Sequence, residues 1–201
     1  MSLKRVAEGI HTFAKFSEEK QLDFNGWHLA IGGTFVLIDP PQATDETVNR
    51  IRNLGAPTRI LLTNKDHRRA APFFREVFGA PISISVLDRP LVDARIDETF
   101  APGDVLLGGL EVIGIPDSKS VGECAFFWPE RRALFLGDAL IGKPPGALSL
   151  LPAEKFSDVN KARAGLSVLG ALDVDMVLVG DGVSILEQGA QALRDFLSRA
   201  A

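Results

Sequence analysis

The sequence predicts a mixed α/β protein in which two β-sheets face each other and helices cover their outer surfaces. Both halves of the chain contain short stretches in which apolar residues alternate with other residues, which indicates strands. In both halves, strands are followed by segments with apolar residues three or four positions apart, which indicates amphipathic helices. The sequence contains no low-complexity segment and no linker, so we expect residues 1–201 to form a single domain.

The first half predicts strands interrupted by two helices. Two β-rich stretches separated by Gly32-Gly33 indicate a hairpin. Val48, Ile51 and Leu54 have helical spacing, and Thr44 precedes them as a possible N-cap. In chain order we predict strands at 5–13 and 26–38, a helix at 44–55, a strand at 59–62, a helix over 73–78 stopped by Gly79, and a strand at 81–86. Residues 88–104 have no sustained period, which predicts loops and short edge segments.

The second half predicts consecutive short strands followed by a helix, a strand and a helix. Gly, Pro or charged turns separate the strands, which is typical of antiparallel pairing. We predict strands at 105–107, 110–115, 123–128 and 133–136, a loop at 142–146, a helix at 157–169, a strand at 176–179 and a helix at 185–197.

The charge and cysteine content exclude several classes of protein. The chain has 22 Lys and Arg against 26 Asp and Glu, a net charge of −4, so no overall positive field favours nucleic acid. Cys124 is the only cysteine, which excludes an internal disulfide. Its place in a predicted strand, between Glu123 and apolar residues, predicts an inert core thiol. No apolar stretch is long enough to cross a bilayer, and the segment Met1 to Ala14 has charges where a signal core would lie. We therefore expect a cytoplasmic protein with a small-molecule ligand, no nucleic-acid or membrane partner, and a homodimer as one possible assembly.

Polar clusters follow three of the predicted strands. They are Asn64 to His67, Gly137-Asp138 and Gly180-Asp181-Gly182, and a looser fourth cluster is Asp117 to Ser120. Loops at strand ends can converge while the sheet holds them rigidly, and sites are commonly assembled there. The sequence therefore predicts a site built from these clusters.

The order of the clusters resembles the metallo-β-lactamase superfamily, which includes small hydrolases of the glyoxalase II type. The resemblance rests on Thr63-x-x-Asp66-His67, on Phe135-Leu-Gly-Asp138 and on the late Gly180-Asp-Gly182, and it extends from about residue 26 to residue 185. It implies a four-layer αββα sandwich. It also implies a site in which an HxHxDH motif, a later His, a Gly-Asp and a final His bind two metal ions.

The resemblance also implies which metal ligands this chain keeps. The Asp-His pair of the family falls on Asp66 and His67, and its bridging aspartate falls on Asp138. Leu62 and Asn64 occupy the positions of the two preceding histidines. The metal site is thus predicted to be degenerate, because its first subsite has lost two nitrogen ligands.

Two further family histidines are replaced. Lys119 is the counterpart of the later His, and a protonated lysine cannot bind a cation. Asp181 stands in place of the final His, and a carboxylate is a competent ligand. One metal ion held by Asp66, His67, Asp138 and Asp181 therefore remains a hypothesis, with Mn²⁺, Fe²⁺ or Mg²⁺ suited to the oxygen-rich set and Zn²⁺ also allowed.

Two functions follow from these residues, and the sequence leaves both open. In the first, the chain is a hydrolase of a small ester, thioester or lactone, with Asp66 and Lys119 as candidate catalytic residues and Lys119 stabilising an oxyanion. In the second, no metal binds, and the gathered carboxylates are neutralised by Lys119, Lys65, Arg68 or Arg69 in a non-catalytic binding protein. Whether the chain is an enzyme stays open here. The resemblance places substrate specificity in the loops 116–121 and 142–150.

Each cluster also has a purely structural interpretation. Asp66-His67 alone is more typical of a helix cap than of a metal site. The Gly-Asp pairs alone are typical of turns. His11 and His28 lie in predicted strands and match no position of the family pattern, so we expect ordinary half-buried residues there.

Overall fold

The computed structural model describes residues 2–199, which form two β-sheets and four α-helices. The seven-stranded first sheet has its strands in chain order, β1 to β7. These strands are Lys4–Ala7, Ile10–Ser17, Leu22–Ile31, Thr34–Ile38, Arg59–Leu61, Ile82–Ser85 and Glu98–Phe100. Strands β1 to β4 pair antiparallel, and β4 to β7 pair parallel. The parallel half brings the ends of several strands to one edge of the sheet.

Two helices connect the parallel strands of the first sheet. Helix α1 (Asp45–Leu54) lies between β4 and β5, and helix α2 (Ala71–Phe78) lies between β5 and β6. Thr44 caps α1 as predicted, because its side chain accepts a hydrogen bond from the Thr47 amide. Gly55 ends α1, and Gly79 ends α2 in a left-handed conformation.

The five-stranded second sheet has the order β12-β11-β10-β9-β8. Its strands, from β8 to β12, are Val105–Leu106, Leu110–Gly114, Cys124–Trp128, Ala133–Leu136 and Met176–Val179. Antiparallel pairs join β8 to β11, as predicted, and β12 adds in parallel to β11. Helices α3 (Val159–Gly165) and α4 (Gly189–Ser198) flank β12 in the chain.

The strand alternation buries both faces of the first sheet. Val36 and Ile38 of β4 pack in the core between the sheets, whereas Leu37 packs with the residues of α1 and α2 on the outer side. A third buried cluster covers the outer side of the second sheet and includes Leu193 and Phe196 of α4. The result is the four-layer αββα sandwich that the sequence predicted.

Three predicted elements differ from the observed ones. The predicted strand at 5–13 is two strands separated by a turn at Gly9, where φ is +74°. The predicted helix at 157–169 becomes a 3₁₀ helix from Leu166 onward. The last helix begins at Gly189 and not at 185, because Ile185 and Val177 exchange backbone hydrogen bonds of 2.8 and 2.9 Å. Within residues 2–199 every helix is too short or too polar to cross a membrane.

Candidate functional site

The polar clusters predicted from the sequence meet at one edge of the two sheets. They follow β5, β11 and β12, whose ends lie at Leu61, Leu136 and Val179. A cavity of about 620 Å³ opens there. All five candidate residues line it: Asp66, His67, Lys119, Asp138 and Asp181. The predicted convergence of the clusters is therefore present in the fold.

A short 3₁₀ helix, Lys65–Arg68, places Asp66 and His67. It is capped by Asn64, whose Oδ1 accepts hydrogen bonds from the Asp66 amide at 2.8 Å and the His67 amide at 3.1 Å. The capping residue is thus Asn64, and the Asp66-His67 pair is free to project side chains elsewhere. His67 is 3% exposed, whereas the Asp66 side chain is 37% exposed.

The imidazole of His67 lies between two carboxylates. Its Nδ1 donates a hydrogen bond to Oδ2 of Asp39 at 2.8 Å, and its Nε2 donates to Oδ1 of Asp138 at 3.3 Å. Burial and the nearby Arg69 lower the pKa of His67, but Asp39 and Asp138 outweigh them and raise it to about 10. The two carboxylates therefore favour the protonated form of the imidazole.

Asp39 is a site residue that the sequence analysis missed. It follows β4, and it accepts hydrogen bonds from the Thr63 amide at 2.9 Å and the Thr63 hydroxyl at 2.6 Å. It is 1% exposed. The available signal was its position, since β4 pairs in parallel with β5 and the ends of the two strands lie side by side.

Lys119 joins two of the predicted carboxylates. Its Nζ lies 2.7 Å from Oδ2 of Asp138 and 2.9 Å from Oδ2 of Asp66. Although burial opposes ionisation, His67 and Lys119 hold the pKa of Asp138 well below its usual range. Burial likewise lowers the pKa of Lys119, but Asp138 and Asp66 more than offset this and raise it. Lys65 adds a second cation to Asp66, at 2.9 Å.

Arg69 is paired with Asp181 on the opposite side of the site. Its guanidinium contacts the Asp181 carboxylate and donates a hydrogen bond to the backbone oxygen of Asn25 at 3.0 Å. It also lies 3.2 Å from Nε2 of His67 and 4.7 Å from the centre of the Phe24 ring. Burial raises the pKa of Asp181 even though His67 and Arg69 act against the shift.

These contacts place two sets of ion pairs side by side, and we call them together the ion-pair network. One set runs from Asp39 through His67, Asp138 and Lys119 to Asp66 and Lys65, and the other joins Arg69 to Asp181. Four carboxylates face four cationic groups, which balances the charge. The members of the ion-pair network are Asp39, Lys65, Asp66, His67, Arg69, Lys119, Asp138 and Asp181.

A divalent metal ion would compete with the ion-pair network for the same ligand atoms. Ligand atoms of His67, Asp138 and Asp181 lie within 4.8 Å of one another, and Asp66 does not belong to that group of described residues. Each of the three is already engaged, because His67 donates from both nitrogens, Lys119 contacts Asp138 and Arg69 contacts Asp181. A metal would have to displace a guanidinium and an ammonium and remove a proton from the imidazolium.

Two glycines permit the close packing of these residues. A Cβ on Gly137 would lie 2.2 Å from Oγ1 of Thr63, and a Cβ on Gly180 would lie 2.7 Å from the His67 ring. Neither has a positive φ, so both glycines are required for space and not for an unusual backbone angle. The Gly-Asp pairs therefore do more than form turns.

Two further buried carboxylates support the site, and the sequence analysis did not select either one. Glu123 is buried beside Asn64 and Asp138, and burial followed by the charge of Asp138 raises its pKa well above the usual value. It stands directly before the fully buried apolar strand β10, which was a usable signal. Asp88 accepts hydrogen bonds from the Lys65 amide at 2.8 Å and the Gly122 amide at 2.8 Å, and so links the segments that carry Asp66 and Lys119.

Cys124 and the two histidines outside the site behave largely as predicted. Cys124 is fully buried, its thiol contacts the backbone oxygen of Thr63, and burial raises its pKa. His11 lies on β2 and is half-buried, whereas His28 on β3 is 1% exposed, deeper than predicted. Neither histidine lines the cavity.

Part of the cavity wall comes from the two loops for which the sequence predicted a role in specificity. Lys119 belongs to the loop 116–121, and Lys143, Ser149 and Leu150 belong to the loop 142–150. The apolar lining residues are Leu22, Phe24, Ile141, Leu150, Leu151 and Pro152, and the exposed cationic ones are Lys20, Lys143 and Lys155. Size and lining are typical of a small-molecule site.

Comparison with known proteins agrees with the fold. A family model described as metallo-beta-lactamase superfamily matches residues 1–199. The comparison with curated proteins finds no match. Among solved structures, DIM-1 metallo-beta-lactamase exposed to ceftazidime is similar with a TM-score of 0.79 and 17% identity, over 98% of this chain and 94% of that one.

Two other solved structures extend this similarity. A metallo-beta-lactamase from Pontibacter korlensis has a TM-score of 0.77 and 17% identity, with 99% of each chain covered. The protein TTHA1623 in a di-iron-bound form has a TM-score of 0.70 and 24% identity, over 90% of this chain and 96% of that one. At these identities the similarity shows a shared fold and nothing about a shared reaction.

Proposed function

The chain belongs to the metallo-β-lactamase superfamily, and from this premise we propose that it binds a small organic ligand without using a metal. One observation carries the proposal. Cationic side chains, Lys119 and Arg69, lie against the same carboxylates, Asp138 and Asp181, that a metal ion would need.

The physical argument concerns how buried carboxylates are neutralised. Asp138 is 4% exposed and Asp181 is 8% exposed, so both need a nearby positive charge to remain ionised. Lys119 and Arg69 supply that charge through direct contacts. Arginine cannot lose its proton in a protein, so the guanidinium cannot yield its place by deprotonation.

The competing function is hydrolysis with one metal ion, of the kind the family resemblance suggested. The observation that favours it is the grouping of His67, Asp138 and Asp181, whose ligand atoms lie within 4.8 Å of one another. That function requires the three groups to exchange their present partners for an ion. Lys119 would then act on the substrate and not on Asp138.

Metal content measured by elemental mass spectrometry tests the proposal. The protein is purified untagged, incubated with Zn²⁺, Mn²⁺ or Fe²⁺, and passed over a desalting column. We expect far less than one metal ion per chain, with the same value for an Asp138→Ala, Asp181→Ala variant. Near-stoichiometric metal that is lost in this variant would overturn the proposal.

A variant that is expected to gain metal binding tests the same proposal. In Arg69→Leu, Lys119→Met, both cations are removed while the carboxylates remain, so we expect metal binding to rise clearly above that of the unmodified chain. Lys15→Met, Arg50→Leu is the matched control, since both of its residues lie outside the cavity. Equal metal content in the two variants would show that the two cations do not exclude metal.

A further inference from the structure

We propose that the ligand of the 620 Å³ cavity is an organic anion with an apolar body, bound through Lys20, Lys143 and Lys155. The inference rests on the proposed binding function and adds the chemical class of the ligand. It depends on how charge is divided between the base and the mouth of the cavity.

The acidic groups of the cavity already have cationic partners. Asp138 and Asp66 contact Lys119, and Asp181 contacts Arg69. None of these three carboxylates is paired with a lysine at the mouth.

The mouth of the cavity, in contrast, has an excess of positive charge. Lys20, Lys143 and Lys155 are the exposed cations of the lining. Lys20 pairs with Glu19 at 2.8 Å, but the side chains are 51% and 81% exposed, so water weakens that pair. A cluster of lysines beside a low-dielectric wall attracts an anion and strengthens its binding.

The wall between the base and the mouth is apolar. Leu22, Phe24, Leu150 and Leu151 are half-buried, so each has apolar surface facing the cavity. Covering this surface with the apolar part of a ligand is favourable in proportion to the area removed from water. A ligand that is only charged, such as inorganic phosphate, would leave it uncovered.

Backbone hydrogen bonds hold the lysine-bearing loop in place. Ile141 and Ser149 exchange hydrogen bonds of 2.9 and 3.0 Å, and the Ser149 hydroxyl donates to the Lys143 backbone oxygen at 2.6 Å. The Gly142 amide donates to the backbone oxygen of Asp181 at 2.9 Å. The backbone that carries Lys143 is thus held in place before any ligand arrives, which lowers the entropy cost of binding.

Titration calorimetry with three eight-carbon compounds of different charge tests the inference. Octanoate, 1-octanol and octylammonium have the same apolar chain, so their comparison isolates the charge. We expect octanoate to bind at least about tenfold more tightly than 1-octanol, the size of one charge-assisted hydrogen bond, and octylammonium to bind most weakly. Equal affinity for octanoate and 1-octanol would overturn the inference.

The lysines are tested with matched triple variants. In Lys20→Gln, Lys143→Gln, Lys155→Gln we expect the preference for octanoate over 1-octanol to disappear while 1-octanol binding is unchanged. In the control Lys4→Gln, Lys15→Gln, Lys161→Gln, which alters three lysines outside the cavity, the preference should remain. An unchanged preference in the first variant would assign the anion to another site.

Two further measurements separate this inference from its alternatives. Metal content is measured on the same protein batch. Stoichiometric metal would overturn the proposed function. A metal-free protein that binds octanoate no more tightly than 1-octanol would overturn only the inference that the ligand is an anion. Co-sedimentation with phosphatidylglycerol vesicles is measured as well. Lysine-dependent vesicle binding without octanoate binding would assign the lysines to a lipid surface and overturn the inference.

Discussion

The Nζ atom of Lys119 lies 2.7 Å from Oδ2 of Asp138, in a position where the carboxylate is almost inaccessible to water. The second oxygen of Asp138 faces Nε2 of His67 at 3.3 Å. A buried carboxylate that touches two cations is stable as an ion, and it becomes costly when one of them is removed.

Replacing Lys119 with methionine should therefore destabilise the protein. Methionine has a similar length but no charge, so Asp138 and Asp66 would each lose a cation. Because the Lys119 side chain is 25% exposed, we expect a loss of about 2 kcal/mol in the free energy of unfolding, below the range for fully buried pairs. Urea denaturation measures this loss.

A double-mutant cycle checks the assignment of that loss to Asp138. The double variant Lys119→Met, Asp138→Asn should lose less unfolding free energy than the sum of the losses in the two single variants, because it contains no unpaired carboxylate at residue 138. Lys15→Met is the surface control and should leave the stability nearly unchanged. Strict additivity of the two changes would contradict a direct interaction.

The Asp39 carboxylate should contribute more to the free energy of unfolding than any exposed ion pair does. It accepts hydrogen bonds from His67 at 2.8 Å and from Thr63, and it is 1% exposed. Asp39→Asn leaves the imidazolium with one carboxylate fewer, and we expect a loss of about 3 kcal/mol in the free energy of unfolding. The exposed Asp93 provides the control as Asp93→Asn. A loss no larger than that of the control would show that Asp39 does not stabilise His67.

Asp88 should hold two loops of the site together. One of its oxygens accepts from the Lys65 amide, and the other accepts from the Gly122 amide. We expect Asp88→Ala to increase hydrogen exchange at these two amides by at least about tenfold, since each would lose its charged acceptor. The Val112 amide, which bonds to the Asp104 backbone oxygen, should keep its exchange rate. Unchanged exchange at Lys65 and Gly122 would exclude this role.

The sequence predicted the layers of the fold because the pattern of burial is local. Adjacent residues such as Leu37 and Ile38 face opposite sides of one strand, and both sides are covered. The predicted start of the last helix was wrong because it depends on a contact that is not local. Ile185 continues the apolar spacing of the helix, but its backbone pairs with Val177, which only the tertiary structure reveals.

Part of the site was also predictable from local sequence patterns. Asp66, His67, Asp138 and Asp181 lie in the segments that follow β5, β11 and β12, so their convergence follows from the sheet topology. Their partners follow only from the pairing of the strands. Asp39 lies 28 residues from His67, and no local pattern indicates that the two meet.

The choice among the candidate cations also required the structure. Lys65, Arg68 and Arg69 are nearly adjacent in the chain, and the sequence treats them alike. Arg69 follows the 3₁₀ helix with a φ of 36°, and its side chain reaches Asp181 and the backbone oxygen of Asn25. Lys65 turns to Asp66 instead.

A pH dependence of stability should arise from His28, which lies outside the site. Its Nε2 donates a hydrogen bond to the backbone oxygen of Gly55 at 2.8 Å, and within residues 2–199 its buried Nδ1 has no hydrogen-bond partner. Burial lowers the pKa of His28, the Gly55 oxygen opposes the shift, and His11, at 6.0 Å between ring centres, adds to it. Burial also lowers the pKa of His11, and Arg5, its partner across β1 and β2, lowers it further.

The sign of the effect follows from proton uptake. The unfolded chain takes up a proton at His28 near the ordinary pKa of 6.5, before the folded chain does, so the free energy of unfolding decreases as the pH falls below 6.5. His67 acts in a separate window, because its raised pKa makes the folded state lose stability as the pH rises from 6.5 toward about 10. Urea denaturation at several pH values should therefore show a weaker slope on the acidic side for His28→Gln and an unchanged slope on the basic side. An acidic slope as steep as that of the unmodified chain would show that His28 is not the residue that titrates.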